Sequence, residues 1–380
     1  MKEFRVGVVG LGHRGREIGK LTALLPGLNL VAACDIRPHN WYETQWLSTA
    51  PMAEMFPDAA FYEDYEKMLD EANLDVVIVE TGADIHCDFC CRALERNIHV
   101  FAEIPLVASL EEAERIWKAA QASSAVISVG ANPNYRKFTD KLVAFYQKGL
   151  LGKPYCMEAE YIHPMDVKLY GNHLYENGDW RKLLAPIRYC THSLGPLQKV
   201  MEQELRYVSC FGTGAHAPED MGQDAMDDMQ CAQFQTEDGT VVRLMRNGRC
   251  RAKIGHHNYR AFGTEGYIEM INRFDKPVIR YNSTRELENV LHEIDGSNMP
   301  EAYKDNPDAL HGHGGMDYAM MDDFLNCLRE HKPAISVKEG IAMTIPGIYA
   351  EESAKQRGRV LKIKYPWDED WSCAFEPADK

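Results

Sequence analysis

Apolar residues in the first third of the chain fall in short runs rich in β-branched side chains, separated by stretches where they recur every three or four positions. The runs at 4–9, 28–34, 76–80, 99–103 and 126–129 predict strands, and the stretches 15–25, 62–71, 87–96 and 109–122 predict helices. The last of these helices opens with Ser109-Leu110-Glu111-Glu112, in which Ser109 and Glu112 form a capping box. Strands alternating with helices in this order imply parallel pairing through crossover helices, and so a doubly wound sheet.

After Gly149-Leu150-Leu151-Gly152-Lys153-Pro154 the texture changes. Longer strand-like runs occupy 155–163, 207–213, 229–236, 241–246 and 259–262, several of them separated by short turns such as Glu237-Asp238-Gly239 and Gly263-Thr264-Glu265-Gly266. An open mixed or antiparallel sheet is the simplest construction. Residues 296–315 are polar and rich in Gly, Pro, Asn and His, too long for a routine connection and therefore a lid or a disordered stretch; a helix over about 315–331 follows. At roughly 150 residues per domain, 380 residues make two domains. The expected architecture is α/β, with a doubly wound parallel domain over 1–133 and an α+β domain over 134–380.

Charge narrows the partners. Lys+Arg number 42 against 57 Asp+Glu, a net charge of -15 that repels nucleic acid and anionic membrane surfaces. The longest apolar stretch, 21–34, is interrupted by Pro26, Gly27 and Asn29, short of the roughly 20 residues a spanning helix needs. Met1-Lys2-Glu3 runs straight into a strand without a secretion signal, so the expected location is cytoplasmic. Eleven cysteines in apolar contexts suit reduced thiols. The CxxC within His86-Cys87-Asp88-Phe89-Cys90-Cys91 lacks a second ligand pair and reads as a helix face, and His311-Gly312-His313 lacks a third ligand, so no metal is expected.

Gly10-Leu11-Gly12-His13-Arg14-Gly15 matches GxGxxG between a predicted strand and a predicted helix. Gly10 permits the tight turn, Gly12 the approach of backbone N–H groups to a pyrophosphate, and Gly15 close helix–strand packing. The next strand ends at Asp35, the acid roughly 20 positions on that hydrogen-bonds an adenosine ribose. Asp35 would repel a 2'-phosphate and Arg37 would attract one, so the cofactor turns on which side chain faces the ribose, and NAD is favoured over NADP. Ligands of such sheets bind beyond the carboxyl ends of the strands, which points to Thr81 to His86, Glu103-Ile104-Pro105 and Gly130-Ala131-Asn132.

The fingerprint, the Glu103-x-Pro105 turn and Gly130-x-Asn132 together resemble the glucose-fructose oxidoreductase, inositol dehydrogenase and MocA (Gfo/Idh/MocA) family over nearly the whole chain. Its hydride-transferring members carry Glu-Lys-Pro in the turn and an Asp with a His in a later motif. Here Ile104 takes the lysine position, and Arg188-Tyr189-Cys190-Thr191-His192-Ser193-Leu194-Gly195-Pro196 keeps the histidine without the aspartate. Those departures resemble the family's NAD-dependent glycoside hydrolases, typified by bacterial α-N-acetylgalactosaminidases, as do Trp180-Arg181, Glu160-Tyr161-Ile162-His163 and His313-Gly314-Gly315-Met316-Asp317. The resemblance implies that His13, Arg14, Asp35, the loop ending at His86, Glu103 and Asn132 contact NAD. It implies that Tyr161, Arg181 and the run Tyr189, Thr191 and His192 line a sugar pocket, with Trp180 beside it and His313 a further pocket residue. It also implies a homodimer or tetramer.

In that branch a sugar C3 hydroxyl is oxidised, the C2 proton becomes acidic, the C1 substituent is eliminated, water adds and the hydride returns. Such a course needs bases rather than the facing carboxylates of ordinary glycosidases. His192 would serve the C3 hydroxyl, and Tyr189 and Tyr161 the C2 proton and the leaving oxygen. Each residue also has a plainer reading: His192 as a buried histidine satisfied by backbone, Tyr161 as sheet packing, Arg181 as a partner of Asp179 or Glu176, Asp317 as stabilising its helix start. A net sugar or cyclitol dehydrogenase and a non-catalytic NAD sensor are the alternative functions.

Overall fold

Four consecutive β-branched residues, Val76–Val79, form β4, and none exposes any surface. A strand has that composition when both of its faces are covered. Beside it lie β1 (Phe4–Val9) and β5 (His99–Glu103), and outside these β2 (Leu28–Cys34), β3 (Ala60–Tyr62) and β6 (Ile127–Gly130). All pairs are parallel, in the order β3-β2-β1-β4-β5-β6. The five expected strands are therefore all present, and the three-residue β3 is added at the edge.

The computed structural model describes residues 3–44, 50–163, 184–216, 227–248, 250, 256–273, 276–310 and 312–378. The expected helices are found at His13–Leu21, Tyr65–Glu71, Ala83–Glu95 and Leu110–Ala122. At the last, Glu112 N–H donates to Ser109 Oγ at 3.1 Å, while Glu112 Oε2 accepts from Ala108 N–H at 2.6 Å, one residue ahead of the cap. The CxxC run lies within the Ala83–Glu95 helix, with Cys87, Cys90 and Cys91 buried, and all eleven cysteines are free thiols.

The chain forms two compact units, residues 1–131 with 302–340 and residues 132–301 with 341–380. The boundary expected after 133 lies two residues from the first crossing, and the chain returns to the first unit for 302–340. The polar stretch before the Met316–Glu330 helix contains three one-turn 3-10 helices, Glu301–Tyr303, Pro307–Leu310 and His313–Gly315. In the first unit Phe324 of the Met316–Glu330 helix packs edge-on against Phe101 of β5, centroids 5.2 Å apart.

The second unit is built on a ten-stranded sheet. Its strands are β7 (Pro154–Ile162), β8 (Leu205–Gly212), β9 (Met229–Thr236), β10 (Val241–Asn247), β11 (His257–Gly263), β12 (Gly266–Arg273), β13 (Lys276–Ser283), β14 (His292–Asp295), β15 (Leu361–Lys362) and β16 (Glu376–Pro377). The order is β14-β13-β12-β11-β7-β10-β9-β8-β15-β16; β7 and β10 run parallel and their neighbours antiparallel, so the sheet is mixed. Period-two alternation sorts β7: Met157, Ala159 and Tyr161 are buried on one face. On the other, Glu158 pairs with Arg243 at 3.1 Å and Arg260 at 2.9 Å. Helices Lys137–Gln147 and Thr191–Gln198 belong to this unit, and Phe138 stacks on Tyr259 of β11 with centroids 5.2 Å apart. Among the described residues no helix is long and apolar enough to cross a membrane.

Candidate active site

In the first unit the glycine fingerprint does what its spacing requires. Gly10 has φ +86°, and a Cβ there would lie 2.7 Å from the Glu80 carbonyl oxygen. Gly15 lets the His13–Leu21 helix close on the turn, since its Cβ would stand 1.9 Å from the Gly10 oxygen. Around Gly12, at the helix N-terminus, the space a Cβ would meet is open, as a backbone cradle for a pyrophosphate must be. Asp35 follows β2, and its carboxylate accepts from Leu11 N–H at 2.6 Å and Arg37 N–H at 2.8 Å. The acid is thus held at the tip of β2 beside the turn, and these residues fit a dinucleotide.

Around this turn sits a charged cluster. Arg14 donates through both terminal nitrogens to Asp317 at 2.5 and 2.8 Å, and its Nε lies 3.5 Å from Glu103. Asp317 is fully buried in the first turn of its helix, so its position there serves an ion pair as well as the helix dipole. His313 Nδ1 lies 2.8 Å from the same carboxylate, so His313 belongs to this charged cluster of the first unit. The left-handed glycines 312, 314 and 315 shape this loop, and a Cβ at Gly312 would meet an Asp317 oxygen at 2.5 Å. Burial opposes ionisation of Asp317, yet Arg14 and His313 hold its carboxyl well below the usual range. Burial likewise opposes protonation of His313, and Asp317 outweighs it, raising the imidazole above its ordinary value. Glu17, His313 and Asp317 bring three ligand-type atoms within 4.8 Å, but Arg14 engages both Asp317 oxygens, the signature of an ion-pair network.

His13 lies 3.5 Å from Glu17, Thr81 Oγ1 meets His86 Nδ1 at 3.3 Å, and burial pushes the His86 imidazole down to about 4. Ile104 is buried after β5, leaving an apolar side chain in the turn. Glu80, which sequence reasoning missed, is a buried carboxyl at the end of β4; burial and the neighbouring Glu103 push it well above the glutamate range against the pull of Arg14.

The second unit brings together the residues expected to line a sugar pocket. Tyr161 comes from β7, Tyr189 ends the 3-10 turn Pro186–Tyr189, and Thr191 and His192 open the Thr191–Gln198 helix. The Tyr161 and His192 rings are stacked at 5.1 Å and 6°; Tyr189 lies 4.9 Å from His192 and 6.3 Å from Tyr161. Tyr259 Oη donates to the His192 carbonyl at 2.7 Å, fixing the helix start. Gly195 in the same motif is structural, because a Cβ there would lie 2.7 Å from the Asn134 side chain. Two further residues join the group without having been expected, Arg246 and His257. They pair in register with Tyr161 on β10 and β11, so three adjacent strands present one row on one face. In the sequence Arg246 only ends the strand-like run 241–246, and His257 falls two residues before the run 259–262. Asn132 is buried in the 3-10 turn Asn132–Tyr135. Trp180 and Arg181 lie outside the described residues.

Residues 4–131 match the family model described as "Oxidoreductase family, NAD-binding Rossmann fold". The matched residues take in the glycine turn and all six strands of the parallel sheet. Similarity extends through the rest of the chain. An alpha-N-acetylgalactosaminidase of Shewanella oneidensis is 24% identical over 402 residues, covering 96% of this chain and 85% of the relative. An inositol 2-dehydrogenase/D-chiro-inositol 3-dehydrogenase of Lacticaseibacillus casei is 26% identical over 285 residues, 74% of this chain and 76% of its own. In fold, levoglucosan dehydrogenase in complex with NADH and levoglucosan superposes with a TM-score of 0.78 at 16% identity, covering 95% of this chain and 100% of that one.

Proposed function

We propose that the protein is a redox-neutral, NAD-dependent glycoside hydrolase. The observation that carries this reading is the convergence of Tyr161, Tyr189 and His192 from three separate elements, with ring centroids 4.9 to 6.3 Å apart. The buried Ile104 supports it, because the turn that carries lysine in hydride-transferring relatives offers no ammonium group here. Full-length similarity to an alpha-N-acetylgalactosaminidase points the same way.

Bound NAD supplies a reversible hydride acceptor for the sugar C3–H. Gly10, Gly12 and Gly15 would seat its pyrophosphate and Asp35 its adenosine ribose, with Thr81, His86 and Glu103 as further contacts in the first unit. His192 takes the proton of the C3 hydroxyl and returns it at the end of the cycle. Of the two phenols, one removes the C2 proton made acidic by the adjacent carbonyl and the other protonates the departing C1 oxygen. Water then adds at C1 with the proton flow reversed. A homodimer or tetramer is part of the proposal, assembled through the charged face of the second sheet.

A panel of nitrophenyl glycosides incubated without added cofactor tests the reading. Nitrophenol release with no net NADH is the expected result. One equivalent of NADH per sugar consumed would instead establish the dehydrogenase that the inositol dehydrogenase relative represents.

A further inference from the structure

Three half-buried arginines have carboxylates, Arg14 with Asp317, Arg188 with Glu351 at 2.8 Å and Arg206 with Asp368, and the buried Arg16, which donates to the Leu11 carbonyl, has the charges of Asp35 and Glu17 nearby. Arg136 and Arg246 do not. They are 3% and 7% exposed, and neither has an acidic partner among the described residues. The Nε of each is buried and finds no acceptor there. What Arg246 does have is the Tyr161 and Asn247 carbonyls and the faces of Tyr161, at 4.1 Å, and Tyr189, at 6.0 Å. Arg136 lies 5.9 Å from the Tyr259 ring.

The two guanidiniums belong to one cluster. Tyr259 Oη lies 3.3 Å from His257 Nδ1, the His257 ring stacks on Tyr161 at 4.1 Å, and the Arg246 guanidinium lies over that same Tyr161 ring. Burial first, and then the charge of Arg136, keeps His257 neutral well below its ordinary value, so the region is positive even without a protonated imidazole. Guanidinium keeps its charge at any working pH. Ring faces and carbonyl dipoles do not cancel two buried charges, which stay uncompensated unless an anion arrives. A neutral sugar leaves them uncompensated. A carboxylate fits the planar fork through paired, charge-assisted hydrogen bonds.

We propose that Arg136 and Arg246 form an anion subsite in the second unit and that the carbohydrate bound there carries a carboxylate. This rests on the carbohydrate reading above and narrows it to sugar acids. In a chain of net charge -15, such recognition depends on these local charges rather than on the overall field.

The test is calorimetric titration of the NAD-loaded protein with methyl glucuronide and methyl galacturonide against methyl glucoside and methyl galactoside. The acids should bind at least ten-fold tighter than their neutral partners, and Arg246→Met and Arg136→Met should each remove most of that preference. A cooperative melt and normal nucleotide content identify variants that have folded, and the wild-type comparison needs no variant. Equal affinity for acid and neutral sugars, or full preference in both folded variants, overturns the subsite while leaving the carbohydrate reading intact. Failure of all four glycosides to bind overturns both.

Discussion

Glu80 carries the clearest imbalance at the scale of single residues. Neither carboxyl oxygen has a hydrogen-bond partner among the described residues, and burial raises its pKa well above the glutamate range. Because the folded value exceeds the unfolded one, the unfolded chain ionises first, and stability falls as pH rises above the ordinary glutamate value. Glu80→Gln should therefore melt like the wild type near pH 4 and be more stable at pH 8, by on the order of 1–3 kcal/mol. Coincident melting curves at pH 8 would refute this. His86 titrates with the opposite consequence: its value of about 4 means that stability is lost as pH falls from the ordinary histidine range toward 4. For His192 the prediction is chemical. His192→Ala should lower kcat by roughly 10²–10⁴ while nucleotide stays bound, and a variant with near-normal turnover removes the assignment. His192 and Tyr189 were legible because they sit in a contiguous motif. Arg246 and His257 were not, since a charged or imidazole side chain in a strand announces nothing until its cross-strand neighbours are known.

Among elements, local chemistry was legible wherever start and stop signals agree with pattern. The capping box at Ser109 and the glycine turn after β1 are examples. Gly15→Ala tests the second: a Cβ at 1.9 Å from the Gly10 oxygen must push strand and helix apart, so nucleotide retention should be lost while the second unit keeps its structure. Retention of a full equivalent of NAD by that variant would show that the turn is not the cradle. The helix Val337–Lys355 escaped the sequence pattern for a physical reason. Ile341, Met343, Ile345, Ile348, Tyr349 and Ala350 are all buried, so no polar stripe marks a period, and Pro346 reads as a breaker. The polar stretch before Met316 looked structureless because glycines at positive φ serve its left-handed turns.

For the whole molecule, cofactor identity is decided by one measurement, the mass of the nucleotide released on denaturation. NAD is expected, because a 2'-phosphate would meet the Asp35 carboxylate; recovery of NADP would mean that Arg37 faces the ribose instead. The amino-acid sequence alone determined the doubly wound domain and its glycine turn, since strand composition, turn glycines and the acid after β2 are local signals set by backbone sterics and burial. It also marked Tyr189 and His192 through a contiguous motif. Only the tertiary structure decided that Arg14 meets Asp317 from 303 positions away, and that Arg246 and Tyr161, 85 apart, share a row with His257. Such pairings follow from strand order and chain return, which leave no period in the sequence, and with them came the two buried guanidiniums whose charge nothing in the described chain offsets.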